Sequence, residues 1–230
     1  MFRSLATTVC LAIAAVVLAV ATAEAAPSSP INIYGNLGTV NASTTSNTVG
    51  YLSLAQPNQF QAQGFSVGSQ VGSSAWDIQE IQVGLGSSGA PSPVVGIYSS
   101  SPAPDSLLAT FTGTTSVSTK GLYTFTGSFT ALQNTSYWVV LSNANSASLE
   151  SYEWYSNDAF TQPTQQNASN VNYLATLERN GEVGTWTNML PSLSIGINAV
   201  AVPEPPTYAL AMVAGVLGAG AAARRRSKKA

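Results

Sequence analysis

Apolar residues alternate with small or polar residues in several short stretches of this chain, and this period of two constrains the fold most. Three stretches show it: Ile81–Leu85, Tyr123–Phe129 and Leu193–Ala199. Successive side chains of an extended strand point to opposite faces. Each stretch therefore predicts a strand with one buried face.

Three further runs are largely apolar at consecutive positions, which is typical of strands covered on both faces. They are Val94–Tyr98, Leu107–Phe111 and Tyr137–Leu141. Gly, Pro, Ser and Asn are dense between the runs and predict turns or loops, and no useful amphipathic helix precedes the C-terminal tail. We expect an all-β fold, an antiparallel, jelly-roll-like β-sandwich over residues 26–201.

The pair Asn180-Gly181 is the favoured two-residue connection of a type I′ β-hairpin. Such a turn places Arg179 directly opposite Glu182. We expect these two side chains to form an exposed cross-strand pair, which is a structural contact and not a ligand contact.

The composition excludes several kinds of chemistry. The chain has no histidine, which excludes Ser-His-Asp catalysis and His-ligated zinc. Its single cysteine, Cys10, lies in an N-terminal apolar run, so we expect no disulfide and no thiol nucleophile after export. From Pro27 to Val202, two basic and eight acidic residues give a formal charge of −6. Nucleic acid is not an expected partner, because binding to it depends mainly on Lys and Arg.

Two patterns that resemble enzyme motifs have simpler explanations. Gly64-Phe65-Ser66-Val67-Gly68 matches G-x-S-x-G, but that motif needs a strand-to-helix turn and a histidine. The acidic pairs Asp77/Glu80 and Glu150/Glu153 are three residues apart, which places each pair on opposite strand faces unless a bulge intervenes. We expect solvated acids, and no catalytic residue, metal or cofactor.

The stretch Ser151–Asp158 contains an aromatic pair with two interpretations. In a strand, Tyr152 and Trp154 share one face, and the following loop supplies Asn157 and Asp158. An exposed aromatic face of this kind stacks against sugar rings, so these four residues are candidate glycan-binding residues. The alternative, which we favour, is that both rings fill the core with their polar atoms satisfied at its rim.

Residues 1–25 have the three parts of a secretory signal peptide. Arg3 gives a positive start, Val9–Val20 is an apolar run, and Ala23-Glu24-Ala25 is an A-x-A-like cleavage site. We expect a signal helix that is removed before Ala26. A retained membrane anchor is the alternative, although a span normally needs about 20 apolar residues. The protein is thus expected to be exported.

Residues 202–230 also have three parts. A Pro-Glu-Pro segment is followed by an uncharged stretch, 207–223, and by a basic end, 224–230. A helix over 207–223 is about 25 Å long, slightly shorter than a hydrocarbon core of about 30 Å. We expect a marginal C-terminal transmembrane helix that inserts transiently in the inner membrane, with its basic end in the cytoplasm.

This tail resembles the PEP-CTERM sorting signal of Gram-negative bacteria. The sorting motif is Val202-Pro203-Glu204-Pro205, and Arg224, Arg225 and Arg226 supply the basic stop. The resemblance implies processing by an exosortase, a membrane-embedded transpeptidase-like enzyme, and association with exopolysaccharide and the surface matrix. A plain tail anchor is the alternative.

Three segments of the module resemble a choice-of-anchor R domain: Val94–Ser99, Pro104–Ala109 and Leu132–Leu141. The resemblance extends over residues 60–199 and implies a β-sandwich displayed at the cell surface by interchangeable anchors, without established catalytic residues. The expected role is that of an exported surface or biofilm-matrix protein with a structural or adhesive function. Carbohydrate binding through the aromatic pair is the alternative.

Overall fold

Thirteen β-strands and no helix make up the regular structure of the residues that the computed structural model describes. Those residues are 29–37, 45–50, 58–69, 73–86, 92–113, 116–144, 151–156, 161–167, 169–189 and 192–203. Contacts define Ser29–Val202 as one compact unit. The predicted signal helix and transmembrane helix lie outside the described residues. Within them, no helix has the length and apolar character needed to cross a membrane.

The strands are β1 (Ile31–Gly35), β2 (Ser46–Gly50), β3 (Gln59–Val67), β4 (Ser73–Gly86), β5 (Pro93–Ser100), β6 (Pro104–Gly113), β7 (Gly121–Leu132), β8 (Thr135–Asn143), β9 (Ser151–Tyr155), β10 (Thr164–Gln165), β11 (Val171–Asn180), β12 (Thr187–Asn188) and β13 (Ile195–Pro203). They form one sheet with the order β10-β1-β13-β4-β7-β6-β5-β8-β3-β11-β12, and β2 and β9 form a second path that connects β3 with β4. The paired strands run antiparallel. This confirms the predicted all-β, antiparallel fold class.

Aromatic side chains connect strands that are not neighbours in the sheet. The ring of Tyr34 on β1 lies 5.8 Å from the ring of Phe65 on β3. The ring of Phe129 on β7 lies 5.1 Å from the ring of Tyr137 on β8. The Tyr34 hydroxyl also donates a hydrogen bond of 3.1 Å to the Gly64 carbonyl oxygen. Because these strands are separated in the sheet order, the contacts cross the main core from one part of the sheet to another.

The alternating apolar residues of the stretches with a period of two face the core, as predicted, but the last stretch does not have a single buried face, because Leu193–Ile197 is buried at every position. Fully buried members are Ile81, Val83, Leu85, Leu193, Ile195, Ile197 and Ala199. In the stretch Tyr123–Phe129, Phe125 is buried, and Tyr123 and Phe129 pack against the same core while partly exposed. The run Tyr137–Leu141 is buried at every position, which confirms a strand covered on both faces.

The run Leu107–Phe111 is not covered on both faces, contrary to the prediction. Leu107 and Leu108 are 54% and 46% exposed, whereas Phe111 is buried. Strand β6 is bulged where it pairs with β5, and it pairs with β7 only at its end, Thr112–Gly113. Most of the run therefore has one hydrogen-bonded neighbour among the described strands, and part of it is open to solvent.

The predicted type I′ hairpin at Asn180-Gly181 is wrong. Strand β11 ends at Asn180, and its partner β12 begins several residues later. Gly181 has a φ of 80°, but Asn180 does not have a positive φ, and a type I′ turn requires one at both positions. A longer loop separates the strands, so Arg179 does not take its expected place opposite Glu182.

The two deeply buried phenols predict a loss of stability at alkaline pH. Burial raises the pKa of Tyr34 and of Tyr152 well above the ordinary value of 10.0. Above pH 10 the unfolded chain releases protons that the native protein retains, so the free energy of unfolding falls as pH rises, by about 1.4 kcal/mol per pH unit for each phenol. Below pH 9 these two groups contribute no pH dependence.

Denaturant unfolding between pH 8 and pH 11 measures this effect. The variants Tyr34→Phe and Tyr152→Phe should each have a shallower fall of unfolding free energy above pH 10 than the wild-type protein. A slope that both substitutions leave unchanged would contradict the assignment of the loss to these phenols.

Candidate functional site

The predicted aromatic pair lies on one face of β9, but that face belongs to the core. Tyr152 and Trp154 are only 1% and 0% exposed. The Tyr152 hydroxyl donates to the Ser142 carbonyl oxygen at 2.9 Å, and the Trp154 indole N–H donates to the Ser194 carbonyl oxygen at 2.9 Å. Neither ring can stack against a sugar from this position, so the core alternative is the correct one.

β9 lies between two strands of the sheet, with its apolar face toward the main core. β9 pairs along its length with β2, and its Trp154 lies opposite Leu85 at the end of β4. The strand is therefore held inside the sheet, and its apolar face joins the main core. The other two candidate glycan-binding residues, Asn157 and Asp158, lie outside the described residues.

The candidate acids have separate structural partners. A bulge in β4 between Ile78 and Glu80 lets Ile78 and Ile81 both face the core, so Asp77 and Glu80 both face outward, and not to opposite faces. Asp77 accepts hydrogen bonds of 3.1 Å from the Gln79 amide and the Ser128 hydroxyl. The Asn198 amide donates to Glu80 at 2.6 Å.

The remaining motifs support no reaction centre in the described part of the chain. The G-x-S-x-G stretch begins inside β3 and follows it to its end, which confirms that it is not a strand-to-helix turn. Glu153 accepts a hydrogen bond of 3.1 Å from the Thr48 hydroxyl, and Glu150 lies outside the described residues. Among the described side chains, no group of three or more Asp, Glu, Cys or His residues is arranged to hold a metal ion.

A second apolar cluster lies on the face of β3, β5, β8 and β11 that points away from the main core. We call it the outer-face cluster. Its buried members are Phe60, Ala62, Trp138, Val140 and Leu177, and its partly buried members are Tyr98, Ala103, Ala175 and Trp186. Its aromatic residues are Phe60 on β3, Tyr98 on β5, Trp138 on β8 and Trp186 in the loop after β11. The cluster therefore brings together residues that are far apart in the sequence.

The register of three strands positions Trp138 in this cluster. Trp138 lies opposite Tyr98 of β5 on one side and opposite Gly64 of β3 on the other. A Cβ atom at Gly64 would lie 2.7 Å from Trp138 Cζ3. The indole ring therefore occupies the space that a side chain at position 64 would fill.

An open groove runs beside this ring. It has a volume of about 440 Å³, and its walls include Trp138, Trp186, Leu177, Ser100 and Asn188. We call it the outer groove.

A second depression of about 410 Å³ continues the groove along β11. It shares Leu174, Ala175 and Asn188 with the outer groove and extends to Tyr173 and Met189. Tyr173 packs against the main core and not the outer-face cluster, so the two depressions are neighbours that meet near the bulge of β11.

Hydrogen bonds hold one wall of the outer groove in place. The Trp138 indole N–H donates to the Ser100 hydroxyl oxygen at 3.1 Å and to the Pro102 carbonyl oxygen at 3.2 Å. The Ser100 hydroxyl also donates to the Pro102 carbonyl oxygen at 2.9 Å. The turn after β5 is thereby fixed against the ring that forms the floor.

The guanidinium of Arg179 packs against Trp186, which forms the other wall of the outer groove. The Arg179 guanidinium carbon lies 4.4 Å from the ring centre of Phe60 and 4.9 Å from that of Trp186, a cation–π arrangement. Its Nε atom is buried without a hydrogen-bond partner among the described residues. Burial raises the pKa of the nearby Tyr98, and the charge of Arg179 partly opposes that rise.

No protein-family model matches this chain, and no curated protein is similar to it. The outer groove must therefore be interpreted from its own residues. Sequence patterns place Trp138 in a buried run, and its place in a groove floor follows only from the strand register. Trp186 lies in a loop with no periodic pattern around it, so nothing local in the sequence indicates its role.

The contact between Gly64 and Trp138 predicts a steric effect. Gly64→Ala should destabilise the protein by about 1–3 kcal/mol, because the new methyl group overlaps a packed ring. Gly121→Ala is the matched control, since no atom lies within 4 Å of a Cβ at that position. Urea unfolding measures both variants. Equal midpoints would show that Trp138 is not held against β3.

The different environments of two tryptophans predict different costs of truncation. Trp154→Ala should lower the free energy of unfolding by about 3–5 kcal/mol, because it leaves a cavity in the core. Trp186→Ala should cost clearly less, because that ring is partly exposed. The same denaturation assay compares the two, and a similar cost for both would contradict the assignment of Trp154 to the core.

Proposed function

We propose that this chain is an exported protein of the cell surface or extracellular matrix that an exosortase processes at its C-terminal tail. The tail carries the proposal: the Pro-Glu-Pro motif, the apolar stretch 207–223 and the basic end 224–230 stand in the order of a PEP-CTERM signal. The N-terminal signal segment 1–25 supports export. The helix over 207–223 inserts in the inner membrane only until processing.

The end of the folded unit supports a cut after the sheet. Strand β13 ends at Pro203, and the Ser74 hydroxyl donates to the Val202 carbonyl oxygen at 3.4 Å. The residues of β13 that fill the core, Ile195–Ala199, precede the sorting motif. Cleavage after Pro203 would therefore release the tail without removing a core residue.

The mature module is a jelly-roll-like β-sandwich of the choice-of-anchor type in this proposal. Contacts across the main core, such as the one between Tyr34 and Phe65, support two packed parts of one sheet. The role is non-catalytic, structural or adhesive, linked to exopolysaccharide, and it requires no cofactor. Among the described acids considered for catalysis, Asp77, Glu80 and Glu153 accept hydrogen bonds from separate amide and hydroxyl donors, which supports this assignment.

Carbohydrate binding remains the second candidate function. The pair Tyr152 and Trp154 does not support it, because both rings are buried. A specific observation does favour it at another place: the partly exposed ring of Trp186 lines the outer groove, beside the buried Trp138.

Intact-mass measurement tests the sorting proposal. Protein recovered from the surface and medium of a cell that expresses an exosortase should lack residues 1–25 and end between Pro203 and Pro206. The variant Glu204→Gln should retain the tail, whereas Glu182→Gln, a matched change in an exposed loop of the module, should be processed as the wild-type protein is. A wild-type mass that still includes Arg224–Ala230 would identify a plain tail anchor instead.

A further inference from the structure

We infer that the outer groove binds a neutral polysaccharide chain, with the ring of Trp186 stacked against the apolar face of a hexose unit. This inference deepens the adhesive role proposed above by naming a site and a ligand class. It rests on that proposal only for where the polysaccharide is met, because the groove itself lies within the folded module.

The walls of the groove combine apolar rings with uncharged hydrogen-bonding groups. Trp186 presents apolar ring surface, whereas Trp138 and Leu177 are buried, 3% and 7% exposed, and Ser100 and Asn188 carry a hydroxyl and an amide. A hexose has the matching character, because its C–H bonds form apolar faces and its hydroxyls surround the ring edge. Binding sites for small ligands commonly pair aromatic surface with a few placed polar groups in this way.

The charge of the site selects a neutral ligand. Among the described residues, none of those lining the outer groove is charged. The guanidinium of Arg179 packs between Phe60 and Trp186 and does not line the groove. The module as a whole has a formal charge of −6, which repels polyanions. A neutral polysaccharide avoids this repulsion and needs no ionic partner.

Two neighbouring depressions favour a chain over a single sugar. The outer groove continues into the depression beside Tyr173 and Met189 through the shared residues Leu174, Ala175 and Asn188. One hexose can occupy only one of the two depressions. A chain of several units can contact both through the side of β11 that they share.

Contacts within the protein hold both tryptophans in place. The indole N–H of Trp138 is bound to Ser100 and Pro102, and the ring of Trp186 packs against Arg179. Aromatic rings that are already ordered lose little conformational entropy on binding. The groove is therefore a preformed surface and not one that must assemble around its ligand.

Calorimetric titration with neutral hexamers of glucose, mannose and galactose tests the inference. At least one hexamer should bind, more tightly than its monomer and more tightly than a hexamer of glucuronate. Trp186→Ala should weaken binding about 30-fold or more, as truncation of a central tryptophan does in binding sites. Trp186→Tyr should retain most of the affinity, because a second aromatic ring can stack.

Two further variants separate binding from folding. Asn188→Ala removes an exposed amide of the groove and should weaken binding several-fold, with unchanged unfolding behaviour. Leu132→Ala is the control, since Leu132 is 56% exposed on β7 and does not line the groove. It should bind as the wild-type protein does. Circular dichroism verifies that each variant is folded.

Three results would overturn the inference: no binding of any neutral hexamer at millimolar concentration, unchanged affinity in folded Trp186→Ala, or a preference for the glucuronate hexamer. A change of oligomeric state in Trp186→Ala with unchanged hexamer affinity would also overturn it and identify a contact between copies. Titrations use both the processed protein and the full chain in detergent. Hexamer binding together with failed processing in the cell contradicts the sorting proposal alone, and normal processing without hexamer binding contradicts the groove alone.

Discussion

Strand β3 is covered by apolar side chains on both faces, and the rest of the described structure depends on this. Its inner face contributes Phe65 to the main core, and its outer face contributes Phe60 to the outer-face cluster. Gly64 is contacted from both sides, by the Tyr34 hydroxyl at its carbonyl oxygen and by the Trp138 ring where a Cβ would be. The packing of the core and the shape of the groove floor are therefore coupled through one backbone position.

A chain with so few charges satisfies many of its buried polar atoms through neutral amides and hydroxyls, although some, such as Gln63 Nε2, have no hydrogen-bond partner among the described residues. Asn36 Oδ1 accepts a hydrogen bond of 2.9 Å from the Ile195 N–H. The Oε1 atom of the buried Gln63 accepts hydrogen bonds from the Thr176 hydroxyl at 3.0 Å and the Leu193 N–H at 3.2 Å. Neutral hydrogen bonds of this kind attach strand ends to the sheet without ion pairs, and they are not weakened by salt screening. The outer groove is likewise lined by neutral residues.

Local pattern was sufficient for some features and insufficient for others. The period of two correctly indicated that Ile81 and Leu85 share a buried face, and that Tyr152 and Trp154 share a face. It did not indicate whether that second face is covered, because the cover comes from side chains of the main core that are distant in the sequence. The prediction that the run Leu107–Phe111 is covered on both faces was wrong for a similar reason. The exposure of this run depends on how far β6 pairs with β7, which is a long-range property.

By itself, the sequence determined the all-β class and the strand faces, because alternation is a local property of neighbouring residues. It also contains the segment that we propose as a sorting motif, and that proposal needs no tertiary contact. Only the tertiary structure decided which aromatic rings line a groove. Trp138 lies over Gly64 because β8 pairs with β3 in one register, and Trp186 becomes a wall because the chain returns to β11 at β12. Such long-range pairing is set by packing across the whole sheet, and no local pattern encodes it.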